Sequence, residues 1–567
     1  MVLNGIGASK GVAIGKVFIK KEFVREVSLE KITDIDKEIK VFEDAKKVAI
    51  EELQVLYDKA VATVGEKHAK IFEVHQMLTD DLDLYDEVVK EITLNKCNAA
   101  YAVQEAGKTM ANIFNMMNDE YMKERATDVY DITNRIIEVI TGVRPISLAD
   151  LTEPVVVISH DLYPSDTIQM NKEFVLGFVT EVGGKVSHSA ILARTMQIPA
   201  ILGIEKVATT LCDQDTIILD GESGQLIVNP DPETLNLWKE KQSQYKAYLK
   251  ELKDLAGTPN RTKDGVHIEL NANIGSVNDI AAVLENDTKG IGLFRSEFLY
   301  MDSPEMPTEQ TQFEAYKEVL EAMEDRVIVR TLDIGGDKSL PYLDIPAEDN
   351  PFLGYRAIRI CLDKQDIFKI QLRALLRASV YGKLGIMFPM IATVNELKKA
   401  KEILEQCKKD LVSEGVKVSN DIEIGMMIET PAAVMVTDLL AKDVDFFSIG
   451  TNDLTQYTIA VDRMNSKIAD LYDSRNLSVL RMIKTTVDNA HANNVWVGIC
   501  GESAADTELT ELYLAIGIDE LSVTPSSIFE VRKKIQELTV SSAKKSALYK
   551  QLKVKKKIKL SNFLKKS

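Results

Sequence analysis

Between about Thr262 and Val540 the chain repeats one pattern: a short apolar run, a polar residue at its end, then a helical stretch. The runs are VHIELNAN, GIGLFRSE, VIVRTLD, LGIMFPM, EIGMMIE, DFFSIGTND, VWVGICGE and DELSV, eight in all. Most are separated by enough residues for a crossover helix, which parallel strands require. Eight such units predict a (β/α)8 barrel of TIM type over residues 261–540, with an active site assembled from the strand ends. A doubly wound open sheet is the alternative that the pattern leaves.

The first half is built differently. No proline precedes Pro145, and between Gly15 and Gly142 the only glycines are Gly65 and Gly107. Apolar residues there recur at helical spacing, as at Ile35, Ile39, Phe42, Ala49, Leu53 and Leu56, which predicts an all-helical subdomain over residues 22–144. GVAIGKVFIK before it reads as a strand. After Pro145, the segments PVVVISHDL, KEFVLGFVTE, IPAILGIE and TIILDGESGQLIVNP read as strands, interrupted by one helical run from Ser187 to Met196. Residues 1–21 and 145–230 are therefore expected to form an α/β domain carrying the helical insert. Pro232 to Leu255, charged and glycine-free, reads as a linker helix within residues 231–260.

At 567 residues the chain exceeds a single core and is expected to form about three to four units. The N-terminus lacks a long apolar core, and no later run approaches a membrane span, so the chain reads as neither secreted nor membrane-spanning. Five scattered cysteines with no CxxC pair suit reduced cytoplasmic thiols rather than disulfides or zinc. A net charge of −18 disfavours nucleic acid as a partner. Residues 541–567 hold ten lysines and no acid. They read as a solvated terminus, with docking on an acidic membrane or protein surface as the alternative.

The ends of the eight runs supply Asn271 and Asn273, Arg295 and Glu297, Arg330 and Asp333, Glu429, Asn452 and Asp453, and Cys500 with Glu502. In a barrel these converge on one mouth. Arginine suits a phosphate or carboxylate because its guanidinium fork donates two parallel hydrogen bonds. Glu429 and Asp453 suit Mg²⁺, which takes a few protein oxygens along with phosphate and water. A lone strand-end arginine is otherwise a surface ion pair, and Cys500 alone is an inert buried apolar thiol. Taken together the strand ends imply a small, anionic, phosphorylated, metal-bound ligand.

In the α/β domain, TEVGGKVSHSAILAR places His188 after a Gly-Gly loop, with Ser187 as N-cap. A helix N-terminus there would stabilise a phosphate carried on the ring and keep the imidazole neutral. His68, His75, His160, His267 and His491 lack such a loop and read as structural or exposed.

GGKVSHSAILAR, GIGLFRSEFLYMD, RTLDIGGDK, NPFLGYRAIRI, FPMIATVNEL, IGMMIETPAA, FFSIGTNDLTQYTIAVDR and GICGE, in this order, resemble enzyme I of the bacterial phosphoenolpyruvate:sugar phosphotransferase system. The likeness runs from NGIGASKGVAIGKVF to the last barrel strand. It implies phosphoryl transfer from phosphoenolpyruvate to His188, supported by Thr167, and onward to the small carrier protein HPr. It further implies that Arg295, Arg330, Arg463 and Asn452 hold the phosphoryl group, that Glu429 and Asp453 bind Mg²⁺, and that Cys500 protonates the enolate carbon. Relatives dock HPr on the helical subdomain and form homodimers through the barrel. The missing proline in LYDSRNLSVLRMIK and the lysine-rich tail depart from the family's pattern.

Since His188 must then meet both substrate and carrier, the α/β domain is expected to swivel, with Gly221, Gly224 and the stretch near Pro230 as hinges. ATP-using relatives such as pyruvate phosphate dikinase need a further nucleotide-grasp domain, for which the residues before His188 leave no room. A regulatory scaffold need not keep His188, Glu429, Asp453 and Cys500 together.

Overall fold

The computed structural model describes residues 1–20, 27–64, 66–116, 120–143, 148–163, 165–166, 170–171, 173–184, 187–196, 198–301, 303, 305–335, 340, 342–343, 345–346, 348–463, 465, 467–468 and 471–553. It divides into two compact units, residues 1–249 and 250–567.

The first unit holds an eight-stranded sheet. Its strands are β1 (Val2–Asn4), β2 (Ile6–Ser9), β3 (Val12–Ile19), β4 (Val155–Ser159), β5 (Val175–Thr180), β6 (Ala200–Leu202), β7 (Thr216–Asp220) and β8 (Gln225–Val228). Their order is β1-β8-β7-β3-β4-β5-β6-β2, parallel from β3 through β6 and antiparallel at both ends. VVVIS of β4 is buried throughout, as a β-branched run covered on both faces should be.

Two details differ from the sequence reading. TIILDGESGQLIVNP is a hairpin, β7–β8, and the opening residues add β1 and β2. Gly221 and Gly224 lie at the hairpin turn. A Cβ on either would stand 1.9 Å from the Ser9 carbonyl oxygen or 2.3 Å from that of Gly5. Their lack of a side chain therefore serves close packing within one sheet.

Among the described residues, five helices are inserted between β3 and β4: α1 (Ile35–Val64), α2 (Glu66–Thr79), α3 (Leu82–Asn95), α4 (Ala99–Asn115) and α5 (Glu120–Thr141). Phe42, Ala45, Ala49, Leu84, Val88, Ile92, Val103, Ile132 and Ile136 form their main core, the apolar faces that the helical spacing predicts. The Asp81 side chain caps α3, which ends at Lys96 in the left-handed conformation. Helices α6 (His188–Met196) and α7 (Pro232–Lys253) follow.

The second unit is a closed parallel barrel of β9 (Glu269–Ile274), β10 (Ile291–Arg295), β11 (Val327–Arg330), β12 (Leu384–Phe388), β13 (Glu423–Ile428), β14 (Phe446–Ile449), β15 (Trp496–Ile499) and β16 (Glu520–Val523). Pairing of β16 with β9 closes it and removes the open-sheet alternative. The interior packs Leu293, Ile328, Met387, Met427, Phe446 and Cys500. Gly425 makes room for the Phe446 ring, which would lie 2.5 Å from a Cβ there. At the N-terminal end, Trp496 stacks on Phe446 at 4.7 Å and carries the Arg326 guanidinium at 4.0 Å. Arg326 also bonds Glu269 and Glu423. Among the described residues no helix is long and apolar enough to cross a membrane.

Candidate active site

A parallel barrel brings all its strand C-termini to one rim. Arg295 and Glu297 follow from β10, Arg330 and Asp333 from β11, Glu429 from β13, Cys500 and Glu502 from β15. Asn452 and Asp453 open the helix Thr451–Ile459 after β14. Asn271 is the exception. It sits within β9 and donates to Glu520 Oε1 at 3.0 Å, and Glu520 is the first residue of β16, so Asn271 belongs to the barrel interior rather than the mouth.

The rim is an ionic lattice. Buried Arg330 donates to Glu297 Oε1 at 2.5 Å and lies 2.9 Å from Asp333 Oδ2. Arg356, equally buried, donates to Asp333 Oδ1 at 2.9 Å and to the Tyr457 hydroxyl at 3.2 Å. It also stands 3.8 Å from Asp453 Oδ2, while Arg463 stands 3.7 Å from Asp453 Oδ1. Burial pulls both guanidinium groups down, but the surrounding carboxylates outweigh it and hold them above their ordinary value. Truncating any member leaves a buried charge without its partner, which is more damaging than losing a surface pair.

Sequence reasoning missed Arg356, because it leaves the barrel in the long loop after β11 and not at a strand end. The run NPFLGYRAIRI contained it. The next residue, Ala357, has φ +53°, a conformation that non-glycine residues hold only when their surroundings demand it. Its N–H bonds the Ile334 carbonyl at 2.9 Å, pinning the segment that carries Arg356.

Glu429 is fully buried. One oxygen accepts from the Met390 N–H at 2.5 Å, and Met390 itself has φ +56°. The other, Oε2, has no hydrogen-bond partner among the described residues, and neither does buried Asp453 Oδ1. Burial pushes Glu429 up to about 8, with Asp453 and Asp333 adding to it and Arg330 and Arg356 opposing. Two buried carboxylate oxygens lacking donors are what a hard divalent cation satisfies.

Cys500 directly follows β15, and its thiol lies 3.7 Å from the Ile449 carbonyl oxygen. Burial pushes it up to about 11, partly offset by the Ser448 side chain and Arg330, so the thiol keeps its proton at neutral pH. The Asn273 amide fixes this strand end by donating to the carbonyls of Cys500 at 3.0 Å and Ser522 at 3.1 Å. Asn452 donates to Glu502 Oε1 and accepts from the Glu502 N–H, both at 3.1 Å. Its side chain is thus engaged on the rim and not turned to the arginines. Arg295 is half-buried and has no ion-pair partner among the described residues, which leaves a cation available to an anionic ligand.

In the first unit, His188 is the first residue of α6, after a loop in which Gly183 has φ +104°. Ser187 Oγ accepts from the Ala190 N–H at 3.4 Å, the expected N-cap. The side chain of His188 and all of Thr167 lie outside the described residues, as do the lysines beyond Lys553. His75 is buried, and His160 and His491 pair with Glu181 and Asp519.

Residues 249–540 match the family described as PEP-utilising enzyme, PEP-binding domain. Residues 4–125 match its N-terminal domain and 151–224 its mobile domain. A Staphylococcus aureus (strain MSSA476) protein named phosphoenolpyruvate-protein phosphotransferase is 48% identical over 95% of this chain and 94% of its own length. The proteins of that name from Bacillus subtilis (strain 168) and Geobacillus stearothermophilus are each 47% identical, covering 95% of this chain and 95% and 94% of their own.

Proposed function

The chain belongs to the PEP-utilising enzymes, and we propose that it is the phosphoenolpyruvate-protein phosphotransferase of a sugar phosphotransferase system. It takes the phosphoryl group of phosphoenolpyruvate onto His188, releases pyruvate, and passes the group to a histidine of HPr as the first step of sugar uptake. The observation that supports this most is the rim itself. Buried arginines, two carboxylate oxygens without donors and a protonated thiol stand together at one barrel mouth.

In this reading Arg295, Arg330, Arg463 and the newly found Arg356 neutralise the phosphoryl and carboxylate oxygens of phosphoenolpyruvate. Phosphoryl transfer needs little from a protein beyond such positioning and charge. Asn452 turns from Glu502 to join them. Glu429 and Asp453 would hold a divalent cation, Mg²⁺, which would supply positive charge to offset that of the phosphoryl group. The bond from phosphorus to the enol oxygen breaks as the bond to the His188 ring forms. Cys500 then gives its proton to the methylene carbon of enolpyruvate.

Residues 1–21 and 145–230 are assigned as the swivelling phosphohistidine domain, 22–144 as the HPr-docking subdomain and 231–260 as the linker. Residues 261–540 are assigned to substrate binding and homodimerisation, in a cytoplasmic protein. Incubation with Mg²⁺, phosphoenolpyruvate and HPr is expected to yield one pyruvate per phosphoryl group on HPr. Phosphorylation of HPr from ATP but not from phosphoenolpyruvate would refute the proposal.

Glu429 also gives the metal site a pH signature. With its carboxyl held at about 8, cation binding near neutrality displaces a proton. Affinity for Mg²⁺ without substrate is expected to rise up to about tenfold per pH unit between about pH 6 and 8. Calorimetry in buffers of different ionisation heat reads the affinity and the proton release together. Binding independent of pH would contradict a Glu429 that holds its proton at neutrality in the metal-free protein.

A further inference from the structure

Inside the first unit a buried polar chain joins the helical insert to the segment beside α6. His75 on α2 is fully buried. Its Nε2 is hydrogen-bonded to Asp128 Oδ1 at 3.1 Å, while its Nδ1 faces Asp131 Oδ2 at 3.6 Å, in ion-pair range but longer than a hydrogen bond. The two aspartates, three residues apart, share one face of α5. Asp131 spends its other oxygen outside the helical insert, accepting from Ser165 Oγ at 2.8 Å. Asp131 and Ser165 are each at least nine-tenths buried.

Ser165 lies in a segment gripped from two further directions. Ser189, the neighbour of His188 on α6, donates to the Leu162 carbonyl at 3.3 Å. Lys20, at the end of β3, bonds Asp166 Oδ2 at 2.7 Å, and the Tyr163 N–H donates to the same oxygen at 3.0 Å. Leu162, Tyr163, Ser165 and Asp166 therefore form a junction on which α5, β3 and α6 all pull.

We propose that His75, Asp131 and Ser165 are positioning residues forming a latch, which sets the angle at which the His188 helix faces the helical subdomain. This inference rests on the phosphotransferase reading above. The latch leaves the barrel chemistry alone and governs the transfer from His188 to the carrier docked on the helices. The buried Ser165–Asp131 hydrogen bond, backed by the His75–Asp131 ion-pair contact, is well suited to such a task. The hydrogen bond is directional, and losing one partner leaves the other unsatisfied. A displacement of about 1 Å at a reacting atom is enough to slow transfer by up to about a hundredfold.

The test separates the two half-reactions in the full-length protein. Ser165→Ala and Asp131→Asn are expected to take phosphoryl from phosphoenolpyruvate within about twofold of wild type. Their kcat for transfer to HPr should fall about tenfold with KM unchanged, because the docking helices are intact. Ser165→Thr, which restores the hydroxyl, should recover kcat, an effect that a loss of folding would not show. Unchanged carrier kinetics, a rise in KM alone or an equal fall in both half-reactions would overturn the latch. A wild type that transfers normally while the variants do likewise would remove the latch only. A wild type that takes no phosphoryl group would remove the reading beneath it.

Discussion

Glu429→Gln is expected to slow phosphoryl uptake from phosphoenolpyruvate by on the order of a thousandfold while leaving the protein folded. The amide keeps an acceptor for the Met390 N–H, which bonds Glu429 at 2.5 Å, but cannot carry the negative charge a divalent cation requires. Losing a metal that neutralises phosphoryl oxygens removes several kcal/mol of transition-state stabilisation. Stability should move the other way. The folded-state pKa, about 8, lies above the unfolded value of about 4.3, so in the metal-free protein the Glu429 contribution is present at low pH and lost as pH rises through about 8. Above that pH the variant should melt no lower than the metal-free wild type. Uptake rates and thermal melts at about pH 8.5 check both. Activity within tenfold of wild type would exclude Glu429 as a ligand.

Cys500→Ala is expected to lower steady-state pyruvate formation by about 10²- to 10³-fold, the usual worth of a placed general acid. The thiol is buried inside the barrel end and held at about 11 by that burial. At neutral pH it is the proton-bearing form, which donation to a carbon requires. The same shift predicts slow alkylation by iodoacetamide near pH 7 and a steep rise above about pH 9, since only the thiolate reacts. Cys212, exposed on the other unit, is the internal comparison. Fast modification of Cys500 at neutral pH would mean a thiolate, and the acid role would fall.

The barrel was legible because parallel strands buried on both faces must be continuous apolar runs, and β11, β12, β14 and β16 are buried at every position. The rim residues followed from their place after those runs. Pairing was not legible. Nothing local in the sequence shows that Arg356 leaves a loop to reach Asp333, or that Asn452 and Glu502 close a two-bond ring across adjacent strands. Asn271 misled for the same reason, since its partner Glu520 is remote in sequence and begins its strand instead of ending it. In the first unit, the glycines read as hinges are glycines because carbonyls of Ser9 and Gly5 pass too close for a side chain. The latch was equally hidden, because His75 looks ordinary until α5 and residue 165 are folded beside it.

The measurement that tests the account most directly is the intact mass of the protein after mixing with Mg²⁺ and phosphoenolpyruvate, followed by mapping of the modified peptide. The account predicts the gain of one acid-labile phosphoryl group, located on the peptide carrying His188, with pyruvate released in equal amount. A folded protein that gains no mass, or gains it at another residue, would contradict it.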